Sequence, residues 1–262
     1  MSLEPDDPRF DGFRRLNEPR FRRTYEAERG VFVAEGPTVV AHVVSHAGVL
    51  VEAVIADARM RDRVPVGLDA PVHIATQDFI SQVVGFDFHR GMLAVCRRPT
   101  PSTVSHLASL RSLVVVEGVS DHENLGAILR AAAGLGIDGV LLDPTTADPW
   151  YRRSVRVSMG TVVDLPIARS RQWPGDLGRL SAAGMTLVAA TPAASATDVR
   201  AVDAIDRPVV MLGAEGPGLT EAALSQASIH VRIPMHRGVD SLNVGQAAAV
   251  LFDRILRPDG DR

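Results

Sequence analysis

The stretch IPMHRGVDSLNVGQAAAVLFDRIL (233–256) decides the fold. In its second half Ala248, Leu251, Phe252 and Ile255 stand at i, i+3, i+4 and i+7, the spacing of one buried helix face. Its first half is polar and irregular. Asn243 and Gln246 have the spacing of a capping box, which starts the helix at 244. Capping explains neither Ser241 nor the preceding IPMHRGVD. A group this polar, packed this tightly ahead of a core helix, raises the question of chemistry.

Working outward from that helix, apolar runs and helical patterns alternate. Strands are predicted at 113–117, 139–143, 162–167, 186–190, 208–213 and 229–233. Helices are predicted at 124–135, 149–159, 175–183, 218–226 and 244–256. Continuous apolar strands between helices imply a parallel sheet covered on both faces. Upstream, GVFVAEG (30–36), VEAVIAD (51–57), APVHIA (70–75) and GMLAVCRRP (91–99) read as strands, with helices from Pro37 and over 76–86. These make a smaller α/β unit. The first 30 residues show no clear periodicity and read as an arm. The expected division is an N-terminal arm and small domain over 1–98, a Pro- and Ser-containing linker over 99–110, and a second domain over 111–262.

The composition narrows the class. The chain has 262 residues, 46% apolar and 23% charged, enough for a substantial core. No apolar run reaches the roughly 20 residues of a membrane helix, and no signal-peptide pattern is present. No membrane association is expected, and a cytoplasmic location is. The single cysteine, Cys96, allows no internal disulfide and no multi-cysteine metal site. It lies in a strand run and reads as a buried thiol. The net charge is −3, and with no lysine in the sequence all 28 basic side chains are arginine. Two segments are locally basic: Arg9, Arg14, Arg15, Arg20, Arg22 and Arg23, then Arg152, Arg153, Arg156, Arg169 and Arg171. Both suit contact with phosphates.

Two motifs are decoys. GLGIDG (134–139) has the G-x-G-x-x-G spacing but ends a helix and leads into a strand, the reverse of a dinucleotide site. His42 and His46 lack the intervening glutamate of a zinc protease. Without lysine there is no phosphate-binding P-loop, and no G-x-S-x-G marks a serine hydrolase.

Three segments remain. EGVSDHENLGAILRAAA (117–133) joins a strand end to a helix that Asn124 can cap. Its Arg130 lies off the apolar stripe and leans back toward the loop. VVMLGAEGPGL (209–219) carries Glu215 among Gly213, Gly216 and Gly218. The third is the stretch quoted first. Together, N-x-x-G-A-I-x-R (124–130), L-G-A-E-G-x-G-L (212–219) and I-P-M-x-x-x-V-x-S-L-N-V (233–244) resemble the three motifs of the SpoU/TrmH-type RNA ribose methyltransferases of the SPOUT superfamily. FVAEGPTVV (32–40) and HRGMLAV (89–95) also resemble that family's ribosomal-protein-like N-terminal domain.

The resemblance implies a C-terminal α/β trefoil-knot methyltransferase domain, S-adenosylmethionine as cofactor, no metal, and a homodimer. It implies 2′-O-ribose methylation of structured RNA, with rRNA preferred over tRNA. The alternatives are a tRNA enzyme or a non-catalytic RNA-binding protein. Carried over, the catalytic set is Asn124, Arg130, Glu215, Ser241 and Asn243. The cofactor-binding set is Gly213, Gly216, Ile233 and Leu242, with Ala190 and Thr191 as a weaker contact. The chain departs from the pattern at Ala214, where many relatives carry asparagine or serine, and at Gly245, where many carry serine.

Overall fold

The computed structural model describes residues 4–46 and 48–256. In chain order the main elements are α1 (Pro19–Arg29), β1 (Val31–Glu35), α2 (Pro37–Ser45), β2 (Val51–Asp57), β3 (Val72–Ala75), α3 (Gln77–Val84), β4 (Met92–Arg97), α4 (Val104–Leu107), β5 (Leu113–Val116) and α5 (His122–Leu135). There follow β6 (Gly139–Leu142), α6 (Arg152–Val157), β7 (Ile167–Arg169), α7 (Gly175–Ala182), β8 (Thr186–Ala190), β9 (Thr197–Asp198), β10 (Pro208–Leu212), α8 (Glu221–Leu224), β11 (Ile229–Arg232) and α9 (Val244–Ile255). Among the described residues no helix is long and apolar enough to cross a membrane. The chain forms two compact units, Met1–Pro99 with Trp150–Val163, and Thr100–Pro149 with Asp164–Arg262.

The first unit holds a four-stranded sheet in the order β1-β4-β2-β3. The pairs β1/β4 and β4/β2 are antiparallel, and β2/β3 is parallel. The residues read as an arm are part of this unit's core. Phe10, Phe13 and Leu16 are fully buried against Val33, Ile55, Ile80 and Leu93. Phe10 and Phe13 lie in a 3₁₀ helix, Pro8–Phe13, whose three-residue turn puts both on one side. That spacing gives no α or β periodicity, so the sequence conceals it. The helix α1 starts at Pro19 and stops at Gly30, whose φ of 62° is left-handed. Cys96 is buried in β4, and burial, with the charge of Glu52 adding, pushes its thiol up to about 12. The inert-thiol reading follows.

Several arginines of the basic segments have partners within the first unit, while Arg9, Arg15, Arg153, Arg169 and Arg171 are exposed. Arg22 is fully buried and pairs with Glu26. Arg14 pairs with Asp11, and Arg15 with Glu18. Arg152 donates to Glu35 and to Asn17, while Arg90 and Arg156 meet the same Glu35 carboxylate. The side chains of Arg20 and Arg23 lie outside the described residues.

The second unit holds a seven-stranded sheet, β7-β6-β5-β10-β8-β11-β9, among the described residues. Every pairing in it is parallel. Strands buried on both faces read as unbroken apolar runs, which is why they are legible. Alternate residues serve opposite faces. Leu113, Val115, Leu187, Ala189, Val209 and Met211 join a core with Leu107, Leu177, Leu180 and Ala223 from α4, α7 and α8. Val114, Val116, Val210 and Leu212 face the other side, where α5 packs on α9 and α9 on β10. That packing brings the first and third motifs together.

Several boundaries differ from the sequence reading. Residues 150–163, expected in the second domain, cluster with the first unit. Residues 100–110, read as linker, belong to the second unit. Leu107 of α4 sits in its core, and Arg207 donates to the Ala108 and Leu110 carbonyls. The strand placed at 162–167 is a 3₁₀ turn, Thr161–Asp164, followed by β7. The two-residue strand β9 has no sequence signature.

Candidate active site

Three loops meet at the carboxyl ends of the central strands. The first leaves β5 and enters α5. Asp121, not Asn124, caps this helix, accepting from the Glu123 and Asn124 backbone N–H groups at 2.9 and 2.8 Å. The helix begins two residues earlier than the sequence spacing suggested. Asn124 is therefore in the first turn, and its side chain is free to point across to α9. The second loop leaves β10 and holds Gly213, Glu215 and Gly216. The third joins β11 to α9 and holds Ser241, Leu242 and Asn243.

Asn243 ties the three together. Its Nδ2 donates to Asn124 Oδ1 at 2.7 Å and to Glu215 Oε1 at 3.0 Å. Its Oδ1 accepts from the Gly245 N–H at 3.0 Å, capping α9. The amide is thus used at both ends, which fixes its flip state by its partners. The expected capping box is only half made, since exposed Gln246 returns no bond.

A cavity of about 470 Å³ opens beside this cluster. Its walls are Gly213–Gly216 with Gly218, Met235 with Ile233, Asp240–Val244, and Ala190–Pro192. All four residues carried over as cofactor-binding, with Glu215, Ser241 and Asn243, line it. Ala190 and Thr191 do as well. Arg130 does not. It is exposed, six residues beyond Asn124 on α5, with no hydrogen bond or ion pair to any described residue.

Gly213 shows how tightly the loop is folded. A Cβ there would lie 2.1 Å from the backbone carbon of Gly218 and 2.2 Å from the Leu219 nitrogen. Only glycine lets the chain close on itself at this wall. Gly245 is equally constrained, since a Cβ would come 2.6 Å from the Cβ of Ala127 on α5. A serine there, common in the family pattern, meets this close helix crossing.

A second tier of residues supports the loops, and the sequence reading missed it. Glu117, at the end of β5, is 4% exposed. Its Oε1 accepts from Trp173 Nε1 at 2.9 Å and Thr220 Oγ1 at 2.7 Å, and its Oε2 from the Thr220 N–H at 2.9 Å. The glutamate so pins the end of the Glu215 loop to the start of the Asn124 loop. The only signal was a carboxylate closing the apolar run LVVV. Asp143, at the end of β6, holds the Gly118 N–H and the Thr145 and Thr146 hydroxyls. Burial pushes its carboxyl up, but those hydrogen bonds outweigh burial and hold it below the usual carboxylate range.

Comparison with known proteins decides the family. Residues 111–253 match the model of the SpoU rRNA Methylase family. The chain belongs to that family. This SpoU methylase is 43% identical over 255 residues to an uncharacterized tRNA/rRNA methyltransferase of Mycobacterium bovis, covering 95% of this chain and 88% of that one. It is 27% identical over 222 residues to the 23S rRNA (guanosine(2553)-2′-O)-methyltransferase RlmP of Bacillus subtilis, covering 84% and 86%. The crystal structure of an AdoMet-bound rRNA methyltransferase from Sinorhizobium meliloti superposes with a TM-score of 0.80 at 25% identity, covering 96% of this chain and 95% of that one. The protein is an RNA methyltransferase of the SpoU type.

Proposed function

We propose that the protein transfers a methyl group from S-adenosylmethionine to a ribose 2′-hydroxyl of ribosomal RNA. The observation that carries this reading is the Asn124–Asn243–Glu215 cluster at the wall of the cavity. The cavity fits the cofactor. Its volume lies within the range of roughly 300–1,000 Å³ typical of ligand sites. Its walls combine apolar side chains with the glycine-rich backbone of 213–218, which offers N–H and C=O groups at close range. Gly213, Gly216, Ile233 and Leu242 are the residues that would hold it. When bound, S-adenosylmethionine supplies an electrophilic methyl group on a sulfonium.

The chain's own residues supply position and charge. Ser241 has an exposed hydroxyl with no partner among the described residues, available to a ribose. Asn243 is held in one orientation by Asn124 and Glu215, so its place is set before substrate arrives. Glu215 orders the two loops. Arg130 presents a guanidinium with no ion-pair partner among the described residues. Because this group stays charged, its role is to anchor RNA phosphate and stabilise developing negative charge, not to accept the proton.

The homodimer, the cytoplasmic location and the trefoil knot belong to the same reading. The knot is supported by a parallel sheet whose order departs from chain order, and by a C-terminal helix packed on α5. The preference for rRNA rests on the likeness to RlmP. Transfer of tritiated methyl groups to separated 23S rRNA, 16S rRNA and tRNA tests it. Wild type should label rRNA, and Arg130→Ala should fall by about a hundredfold with cofactor affinity unchanged. Equal background from both proteins would defeat the enzyme reading, and label confined to tRNA would defeat the substrate.

A further inference from the structure

The cavity has a charge pattern that the motifs do not announce. Two carboxylates line it, Glu215 and Asp240, and no arginine or histidine does. Glu215 accepts from the neutral amide of Asn243, and neither carboxylate forms an ion pair with a described residue. The remaining lining is apolar side chain and backbone, with Ser241, Thr191 and Asn243 as the other polar side chains. Both carboxylates are solvent-exposed, so their field on a ligand acts through the surface dielectric, intermediate between bulk water and the interior. Asp240 occupies an unspecified position in I-P-M-x-x-x-V-x-S-L-N-V, immediately before Ser241.

We infer that Asp240, reinforced by Glu215, is the residue by which the cavity distinguishes a sulfonium ligand from the neutral thioether left after methyl transfer. The inference rests on the cofactor reading above. S-adenosylmethionine and S-adenosylhomocysteine share adenosine, ammonium and carboxylate. They differ by one methyl group and one positive charge at sulfur. A cavity lined by two carboxylates with no ion-pair partner among the described residues favours the cation. Loss of that charge on methyl transfer weakens the hold on the product, so charge drives its release.

Calorimetric titration of the full chain with each ligand tests this. Wild type should bind S-adenosylmethionine more tightly than S-adenosylhomocysteine. Asp240→Asn should narrow that ratio about tenfold, the effect of one carboxylate at an intermediate dielectric, through the cationic ligand alone. Asp240→Glu should preserve the ratio, and added salt should narrow it in wild type. A merely structural role would weaken both ligands equally. That result, or an unchanged ratio in Asp240→Asn, would overturn the inference and leave the cofactor reading intact. Wild type that binds neither ligand would overturn both.

Discussion

Ser241 and Asn243 stand two residues apart and carry different burdens. Asn243 caps α9 and joins two loops, so removing it costs stability and function together. Ser241 touches nothing it must hold, and its replacement by alanine should change stability by no more than about 0.5 kcal/mol and leave the melting temperature nearly unchanged. Methyl transfer to RNA should fall by at least about tenfold, the loss of one hydrogen bond to a charged or reacting group. Thermal unfolding and a transfer assay on the same preparation separate the two effects, and a large drop in melting temperature would count against the assignment. At this scale the sequence was informative where side chains are both polar and exposed. Asn124, Glu215 and Asn243 could be picked out and do come together. Glu117 could not, because its meaning depends on Thr220 and Trp173, which lie 103 and 56 residues away. The cap of α5 was misplaced for a related reason: Asp121 and Asn124 are both good caps, and only coordinates show which oxygen meets the backbone.

The helix pair α5–α9 governs the site at the level of elements. Ala127 and Gly245 face each other closely where the helices pack, leaving no room for a Cβ at 245. Gly245→Ser should separate the helices and destabilise the second unit by about 1–3 kcal/mol, the usual cost of overpacking. Restoring space with Ala127→Gly in the same chain should recover most of it. Denaturant unfolding of the single and double variants measures this, and a single variant as stable as wild type would show that the crossing yields. The pair was half legible. The apolar stripes of both helices were plain, since Leu125, Ile128, Leu129 and Ala132 in one and Ala248, Leu251, Phe252 and Ile255 in the other stand at i, i+3, i+4 and i+7. Their contact was not, because no local pattern tells one helix which other helix it meets. Short elements failed for another reason. The strands β7 and β9 have three and two residues, too few for any period to show.

Across the whole molecule, RNA binding must draw on arginine, the chain's only cationic side chain apart from histidine. Glu35 gathers Arg90, Arg152 and Arg156, three positive charges on one carboxylate. Affinity for RNA should fall steeply with salt, and Arg90→Ala should lower the slope of log K against log salt by about 1. Filter binding over a salt series reads this, and a slope near zero would remove phosphate contact as the basis of recognition. The alternation of strands and helices announced two α/β units, while their borders followed tertiary contact. Residues 150–163 return to the first unit after the chain has entered the second, which no composition shift marks.

Each unit also contains one of the two tryptophans, Trp150 in the first and Trp173 in the second. The indole of Trp173 shares a carboxylate oxygen of Glu117 with Thr220, where the Glu215 loop ends. The protein thus carries its own fluorophore wired to the wall of its cavity. In a Trp150→Phe background, indole emission would come from that single ring, and a ligand that shifts the loop would be seen as a change in colour or brightness without any attached dye.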